Sequence, residues 1–291
     1  MSESAALKSL TPVLVQGPDA RKFMQGQLTN DVRKLTRERA LLGSCNTGQG
    51  RVQAVLTLLE RNEGVVALFP TATLERLLTK LRASIFSTKV SFELLPWSAT
   101  PISAAEASAR FVSLPREQGQ CVSEGELTLL RWWSADERYL LLGAHAPSQA
   151  STVQDEEWRA ADLAAGLPQV YAETQTSFVP QMLNLDLLHG ISFDKGCYVG
   201  QEIVARARRN GVPRRMFRFS ARCAPAAPGT PVLHGSDEVG ELVDAVSSRV
   251  GCELLAVVNL DKVSAPLALR GVERSELTLA TLPYDVPLER R

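Results

Sequence analysis

The stretch Lys195-Gly196-Cys197-Tyr198-Val199-Gly200-Gln201-Glu202 lies shortly before residue 213, where the pattern of apolar residues along the chain changes. It combines an amine, a thiol, a phenol and a carboxylate within a few positions. Its glycines allow a tight turn or a close approach of the backbone to another group. Ile203 and Val204 then begin the apolar face of a predicted helix, which Gly211 and Pro213 end.

Cys197 has two interpretations at this stage. Its position shortly before a helix N-terminus and two residues from Lys195 favours the thiolate, which is the reactive form. A lone cysteine in a reducing compartment is, however, more often a small buried apolar residue. The polar neighbours Tyr198 and Glu202 favour the functional interpretation. Glu202 is also placed to pair with Arg206 at i,i+4 on the predicted helix.

The composition limits the class of protein. A chain of 291 residues is long enough for one large domain or for two or three smaller ones. Hydrophobic residues make up 45 %, which is ordinary for a soluble globular protein, and 32 basic residues balance 32 acidic ones. The overall charge therefore argues neither for nor against nucleic acid. Met1–Ser4 does not begin a secretory signal, and no apolar run approaches the ~20 residues of a membrane span.

The cysteines and histidines are scattered along the sequence. The odd number of cysteines and the lack of CxxC spacing argue against a disulfide framework. A zinc site or a protein-held iron–sulfur cluster normally uses clustered thiolates, so the sequence predicts no metal site. We therefore expect a reducing cytoplasm. The residues concerned are Cys45, Cys121, Cys197, Cys223, Cys252, His145, His189 and His234.

Strand and helix patterns are mixed before residue 213, whereas strand patterns dominate after it. The earlier part predicts an amphipathic helix from the spacing of Leu74, Leu77, Leu78 and Leu81, and another helix through Trp158 and Leu163. It also predicts strands at 13–15, 41–45, 52–59, 65–69, 90–95, 111–114, 127–133 and 139–142. The later part predicts short strands at 216–222, 231–233, 238–246, 252–258 and 265–269. Short strands at such spacing indicate a small barrel or sandwich.

The segment Gln25-Gly26-Gln27-Leu28-Thr29-Asn30-Asp31 is unusually polar in its second half. Its side chains carry many hydrogen-bond donors and acceptors, so they could line a pocket. They could equally cap a helix and turn the chain, which is a common use of Asn and Asp. The spacing alone favours capping.

The central stretch also belongs to a longer signature. Val179-Pro180-Gln181 and Asn184-Leu185 precede it, and Gly190-Ile191-Ser192-Phe193-Asp194 leads directly into it. Together with the segment 25–31 and the closing Leu282-Pro283-Tyr284, these motifs resemble the YgfZ family of folate-binding proteins. That family is related to a mitochondrial iron–sulfur assembly factor. The resemblance covers nearly the whole chain.

The wider superfamily contains the aminomethyltransferase, or T-protein, of the glycine cleavage system. The resemblance therefore implies an α+β, T-protein-like multi-domain fold with antiparallel sheets and a C-terminal β-barrel. We expect a folate-binding region over 1–212, with a second subdomain at roughly 46–105 inserted in the first, and the barrel domain over 213–291.

One position departs from the aminomethyltransferases. They carry an acidic catalytic residue on the strand that follows the hairpin turn at Asn46. Here that strand reads Arg51-Val52-Gln53-Ala54-Val55, without a carboxylate. The substrate amine and the folate nitrogen would lose their charged partner, so glycine-cleavage activity is not expected.

The resemblance implies that the chain binds tetrahydrofolate, or a one-carbon or polyglutamylated derivative. Two tryptophans line the pterin site in bacterial relatives. One corresponds to Trp158, and Leu10 takes the place of the other. Asn30 and Asp31 are further candidates for the folate site. A pterin stacked on an aromatic face gains about 0.5–1.5 kcal/mol beyond burial, but Trp158 could also simply pack on the core from an amphipathic helix.

Cys197 corresponds to the thiol of the family motif, and its role is left open between carrying a one-carbon unit, touching a cluster and sensing redox state. Lys195, Gly196, Tyr198, Gly200, Gln201, Glu202 and Arg206 support it in the motif. The family supports assembly or repair of iron–sulfur enzymes, including those that methylthiolate tRNA. We therefore expect iron–sulfur client proteins or assembly factors as partners, no membrane, and a monomer.

Two other functions compete with this hypothesis. One is a folate-dependent one-carbon transferase or demethylase that uses Cys197 or Asp31. The other is RNA binding through seven clustered arginines, although no RNA-binding module accompanies them. These arginines could also bind a polyglutamate tail, or form an ordinary solvated surface. They are Arg206, Arg208, Arg209, Arg214, Arg215, Arg218 and Arg222.

Overall fold

A computed structural model describes residues 6–61, 64–144 and 152–289. Met1–Ser4 and His145 lie outside these ranges. The described strands form three antiparallel sheets, which three successive stretches of the chain build in turn. No helix in the described part of the chain is long and apolar enough to cross a membrane.

The first sheet has five strands in the order β2-β3-β4-β1-β5. Most of these strands were predicted from their apolar patterns. The patterns are strong because both faces of this sheet are covered. The strands are β1 (Leu10–Gln16), β2 (Leu41–Asn46), β3 (Val52–Arg61), β4 (Gly64–Pro70) and β5 (Ser91–Leu94).

Two helices, α1 (Ala20–Gln27) and α2 (Leu74–Ala83), cover one face of this sheet. The four leucines that predicted the second helix, Leu74, Leu77, Leu78 and Leu81, are all buried in that layer. The sequence prediction of α2 is therefore confirmed.

The second sheet has the order β6-β9-β8-β7 and carries the short helix α3 (Ala104–Ser108). The predicted strand at 111–114 is wrong. A capping box between Ser103 and Glu106 starts α3, and the Phe111 backbone N–H donates to Ala107, so this segment closes the helix. Val112 is consequently 98 % exposed. The strands are β6 (Ser98–Ile102), β7 (Cys121–Glu124), β8 (Leu127–Arg131) and β9 (Tyr139–Gly143).

Two further helices link the second sheet to the third. Helix α4 (Thr152–Ala164) carries Trp158, and α5 (Gln201–Asn210) follows the central stretch of the sequence. Gly211 caps α5 with φ of +66°, which confirms the predicted end. Between them, a single 3-10 turn spans Pro180–Leu183.

The third sheet begins just after residue 213 and has six strands in the order β14-β11-β12-β13-β10-β15. It curls, but the predicted barrel is not closed. Among the described residues a single bridge, Leu267 to Leu277, joins the two edges, because both edge strands are too short to pair along their length. The strands are β10 (Arg214–Ala221), β11 (Pro231–His234), β12 (Asp237–Ser248), β13 (Gly251–Asn259), β14 (Ala268–Leu269) and β15 (Thr278–Ala280).

A central core joins the three sheets. Val55 from the first sheet, Leu140 from the second and Leu255 from the third belong to one buried cluster with Trp158 of α4. The domain limits at 46, 105 and 213 stay predictions. Aromatic and charged side chains meet at this junction.

Candidate functional site

A pocket of about 250 Å³ lies at the junction of the three sheets, and we call it the central pocket. The first sheet supplies an apolar wall, α4 and the segment after it supply aromatic and charged side chains, and the third sheet supplies one carboxylate. Its principal lining residues are Leu10, Leu42, Val55, Thr57, Trp132, Trp158, Arg159, Asp162, Tyr171 and Asp244.

The aromatic wall is formed by Trp158 and Trp132, whose ring centroids lie 5.2 Å apart. Trp158 is buried, and the Arg138 guanidinium lies 4.4 Å above its ring. Among the described residues, no acceptor bonds to the buried Nε1 of Trp158. A buried indole N–H usually has a partner, so this donor is an exception within the core.

Leu10 lies on β1 and lines the same pocket as Trp158. The structure therefore brings together the two positions that the sequence analysis paired. Leu10 presents an aliphatic wall rather than a second aromatic face.

An ion-paired network forms the charged side of the pocket. Arg159 Nε lies 2.8 Å from Asp244 Oδ1 and 3.0 Å from Oδ2, and the Tyr171 hydroxyl donates to Oδ2 over 2.8 Å. Burial opposes the charge on Arg159, but the hydrogen bonds and charge of Asp244 outweigh it and raise the pKa of the guanidinium. Burial, together with that carboxylate, raises the pKa of Tyr171.

A β-bulge aims Asp244 at this site. The register of β12 against β13 shifts between Leu242 and Asp244. Strict alternation would turn Asp244 to the same side as Leu242, into the other core of the sheet. The extra residue, Val243, lets both Val243 and Asp244 face the junction.

Asp162 is another carboxylate that lines the pocket. Trp132 Nε1 donates to its Oδ1 over 2.7 Å, and Arg138 forms an ion pair with the same oxygen. Burial raises the pKa of Asp162, while the two donors oppose that rise. The carboxylate thus orients Trp132 and also presents an acceptor to the pocket.

The family motif at the C-terminus holds the segment that follows α4. The Tyr284 hydroxyl donates to the Gly166 carbonyl over 2.7 Å, and Gly166 has φ of +67°. A Cβ at Gly166 would lie 2.5 Å from that hydroxyl oxygen. Glycine is needed here so that the segment ending at Tyr171 can close over the pocket.

Asn30 and Asp31 do not line the central pocket. The Asn30 amide donates to the carbonyls of Leu42 and His189, and Asp31 accepts from the Arg33 backbone N–H as the cap of a 3-10 turn. The hydrogen bond from the Arg33 side chain holds the pKa of Asp31 well below its usual range. The capping interpretation is therefore confirmed for Asp31.

Lys195 joins the two family motifs. It is 6 % exposed, and its Nζ donates to the carbonyls of Gln25, Leu28 and Asn30 at 2.6–2.7 Å. All three ammonium hydrogens are thus used by backbone acceptors. Burial lowers the pKa of Lys195 to about 8. Its role in this structure is to fix the segment 25–31 against the central stretch.

Cys197 is exposed, whereas Lys195 and Tyr198 beside it are buried. Burial raises the pKa of Tyr198 to about 12, and its ring centroid lies 4.8 Å from Lys195 Nζ. Gly196 is also exposed. The thiol is therefore presented to the outside by a rigidly held loop, and the buried interpretation of Cys197 is wrong.

Gly200 is the N-cap of α5, with φ of +80°, and lies against the backbone of Thr47 and Gly50. Gln201 is the first residue of the helix. The predicted i,i+4 pair is present on the exposed face, with Glu202 and Arg206 3.6 Å apart. Such an exposed pair contributes only a few tenths of a kcal/mol, so it supports the helix rather than a site.

The comparisons with known proteins agree with this architecture. The tRNA-modifying protein YgfZ of Serratia proteamaculans is 31 % identical over 309 residues, which cover 98 % of this chain and 93 % of the relative. The protein of the same name from Edwardsiella ictaluri is 34 % identical, with 94 % of this chain and 90 % of the relative covered.

The chain belongs to the YgfZ family. A search with family models returned no match. Among solved structures, the glycine cleavage system aminomethyltransferase T from Bartonella henselae superposes with a TM-score of 0.75 at 14 % identity, over 96 % of this chain and 85 % of that one. The YgfZ-family resemblance is thus confirmed, and so is the T-protein-like fold with antiparallel sheets.

The arginine cluster of this YgfZ-family chain is divided by the fold. Arg215 forms a bidentate, buried pair with Asp186 at 2.8 and 2.9 Å, and Arg218 pairs with Glu253. Arg214 bonds to Asn259, and Arg206 pairs with Glu202. Arg208 stacks on Phe193 at 4.1 Å. Residues adjacent in sequence therefore do not form one basic surface.

Gln53 lies on β3, the strand on which the aminomethyltransferases are expected to carry their acidic residue. The Gln53 side chain accepts a hydrogen bond from Lys80 Nζ, which also donates to the Asn46 carbonyl. Among the described residues, no three His, Cys, Asp or Glu side chains come together as a metal site.

The sequence analysis missed Arg159, Tyr171 and Asp244, which form the charged side of the pocket. One signal was available: Asp244 interrupts the apolar run Leu242-Val243-Asp244-Ala245-Val246. A lone carboxylate in a buried strand indicates a buried partner. Nothing in the sequence indicated that this partner is on α4.

Proposed function

We propose that this YgfZ-family protein binds tetrahydrofolate, or a one-carbon derivative of it, in the central pocket. One observation carries the proposal: Trp158 and Trp132, with ring centroids 5.2 Å apart, form an aromatic wall of a pocket that also contains a few charged side chains. A pocket that is mostly apolar, with a few convergent polar groups, is typical of a small-molecule site.

The chemistry of a pterin fits the residues of the pocket. A pterin is a flat ring with an edge of amino and N–H donors and neighbouring acceptors. Trp158 and Trp132 would provide aromatic faces, and Asp162 an acceptor for the amino edge. When bound, tetrahydrofolate supplies a carrier for one-carbon units.

The biological role that we propose is an accessory one, in tRNA modification that depends on iron–sulfur enzymes. The names of the relatives, tRNA-modifying protein YgfZ, support the first part. The exposed Cys197 supports the second, because a thiol on the surface can reach a client protein or an assembly factor that a buried thiol cannot. We place this activity in the cytoplasm.

An anaerobic titration with tetrahydrofolate, followed by intrinsic tryptophan fluorescence and by calorimetry, tests the folate site. We expect saturable binding, and an affinity about three- to tenfold weaker for Trp158→Phe, since the smaller ring loses part of the stacking face. Trp97→Phe is the matched control, because Trp97 lies outside the central pocket.

Two outcomes would sink the proposal. One is the absence of saturable binding by calorimetry to the wild-type protein. The other is equal weakening by Trp158→Phe and Trp97→Phe, which would place the folate elsewhere.

A further inference from the structure

A second cavity, of about 370 Å³, adjoins the central pocket, and we call it the basic pocket. Leu42 lines both, and the Trp133 indole N–H donates to Thr57 Oγ1 over 2.9 Å between them. The cations of the basic pocket come from two separate segments: Lys34 and Arg39 from the segment before β2, and Arg208 from the last turn of α5.

The charge of this cavity is unbalanced. Three cations line it against a single carboxylate, Asp194. Arg39 pairs with Glu117 at 3.1 Å, but both side chains are more than half exposed, so water competes strongly with that pair. Among the described residues, neither Lys34 nor Arg208 forms an ion pair. Such a cavity favours an anion.

The walls of the basic pocket carry aromatic surface that is held in place. Phe193 lies beneath the Arg208 guanidinium at 4.1 Å, and Trp133 is fixed by its hydrogen bond to Thr57. Asn30 stiffens the wall with bonds of 2.8 and 2.9 Å to two carbonyls. A ligand of this cavity should therefore contain both a negative charge and a flat ring.

We propose that the basic pocket binds one unpaired nucleotide of an RNA strand. Lys34, Arg39 and Arg208 would contact the phosphates, with Arg208 held in place by Phe193, and the base would stack against Trp133. Proteins that bind single strands combine a basic groove with aromatic platforms in this way. A paired base is stacked within its helix and cannot enter a cavity of this kind. The proposal does not depend on folate binding.

The test uses the full chain and a fluorescein-labelled single-stranded RNA of twelve nucleotides, with binding followed by anisotropy from about 50 to 200 mM salt. Each phosphate neutralised on a single strand contributes about −0.7 to the slope of log K against log[salt], so three contacts predict about −2. Arg208→Ala should weaken binding about tenfold and make the slope about 0.7 less negative.

Arg209→Ala is the matched control. It removes the same charge one residue further along α5, on an exposed side chain that does not line the pocket. We expect less than a twofold change. Lys34→Ala, on an exposed side chain before β2, provides a second variant if Arg208→Ala does not fold.

Several results would overturn the proposal. They are no saturable binding of the single strand at the lowest salt, equal binding of the same sequence as a duplex, and equal weakening by Arg208→Ala and Arg209→Ala. A free mononucleotide shares the chemistry of the ligand. If AMP alone bound as tightly as the RNA, the cavity would be a mononucleotide site and the assignment to RNA would fail.

Discussion

Replacing Gly200 by alanine tests the contact that seats the central stretch of the sequence. A Cβ at this position would lie 2.6 Å from the Thr47 carbonyl oxygen and 2.7 Å from Gly50 Cα. Both are backbone atoms of the loop between β2 and β3, so no rotamer change can relieve the contact. Either the loop or the start of α5 must move.

Two costs add at Gly200. Alanine in the left-handed region costs about 1–2 kcal/mol, and overpacking against a well-packed backbone costs about 1–3 kcal/mol more. Gly271 has nearly the same conformation, with φ of +70° against +80°, but no described atom lies within 4 Å of its Cβ. Gly271→Ala should therefore pay only the first cost, and the two variants should differ by about 1–3 kcal/mol.

Equilibrium unfolding in urea measures the difference. The midpoint should fall further for Gly200→Ala than for Gly271→Ala, with the slope unchanged in both, because only stability is altered. Equal losses in the two variants would refute the reasoning, since they would mean that the loop gives way without cost.

Two further predictions concern buried charges. Asp244→Asn should lower the free energy of unfolding by about 2–3 kcal/mol, because Arg159 keeps its charge, loses its partner and retains only some contact with water. Glu117→Gln, which removes one partner of an exposed pair, should cost less than about 0.5 kcal/mol in the same urea experiment. Similar losses in the two variants would contradict the role of Asp244 as the buried partner of Arg159. Lys195→Met should remove a pH dependence of stability. The folded pKa of about 8 lies below the ordinary 10.5, so between these values the unfolded chain binds more protons and wild-type stability rises with pH. The full effect is at most about 3 kcal/mol. Urea unfolding at pH 7.5 and pH 10 should show this rise in the wild type and in the exposed control Lys22→Met, but not in Lys195→Met; a difference that is constant with pH would count against a buried ammonium.

Local patterns predicted most of the elements because the forces that decide them are local. In a helix, the spacing of Leu74, Leu77, Leu78 and Leu81 places all four side chains on one face, and that face is buried. Phe111–Leu114 has a similar apolar content, yet the cap at Ser103 starts a helix before it. A short apolar run alone does not show whether it forms a strand or ends a neighbouring helix.

The sequence did not predict whether the barrel closes, nor which residues form the charged side of the central pocket. Closure depends on whether β14 and β15 are long enough to pair, and these strands contribute two and three residues. The pairing of Arg159 with Asp244 depends on a one-residue bulge in β12, which decides the face on which every later side chain of that strand lies. Sequence patterns show that a strand exists but not where its register shifts.

The central motif shows why dense polar chemistry in a sequence is not by itself a catalytic site. Lys195 donates to three backbone carbonyls, Tyr198 is buried beside it, and Gly200 makes room for the neighbouring loop. These residues hold the motif together, and Cys197 lies exposed between them. An exposed thiol that is held in place by its neighbours is well placed to contact another molecule. A role for Cys197 in folate binding itself would instead require the thiol to line the central pocket, which it does not.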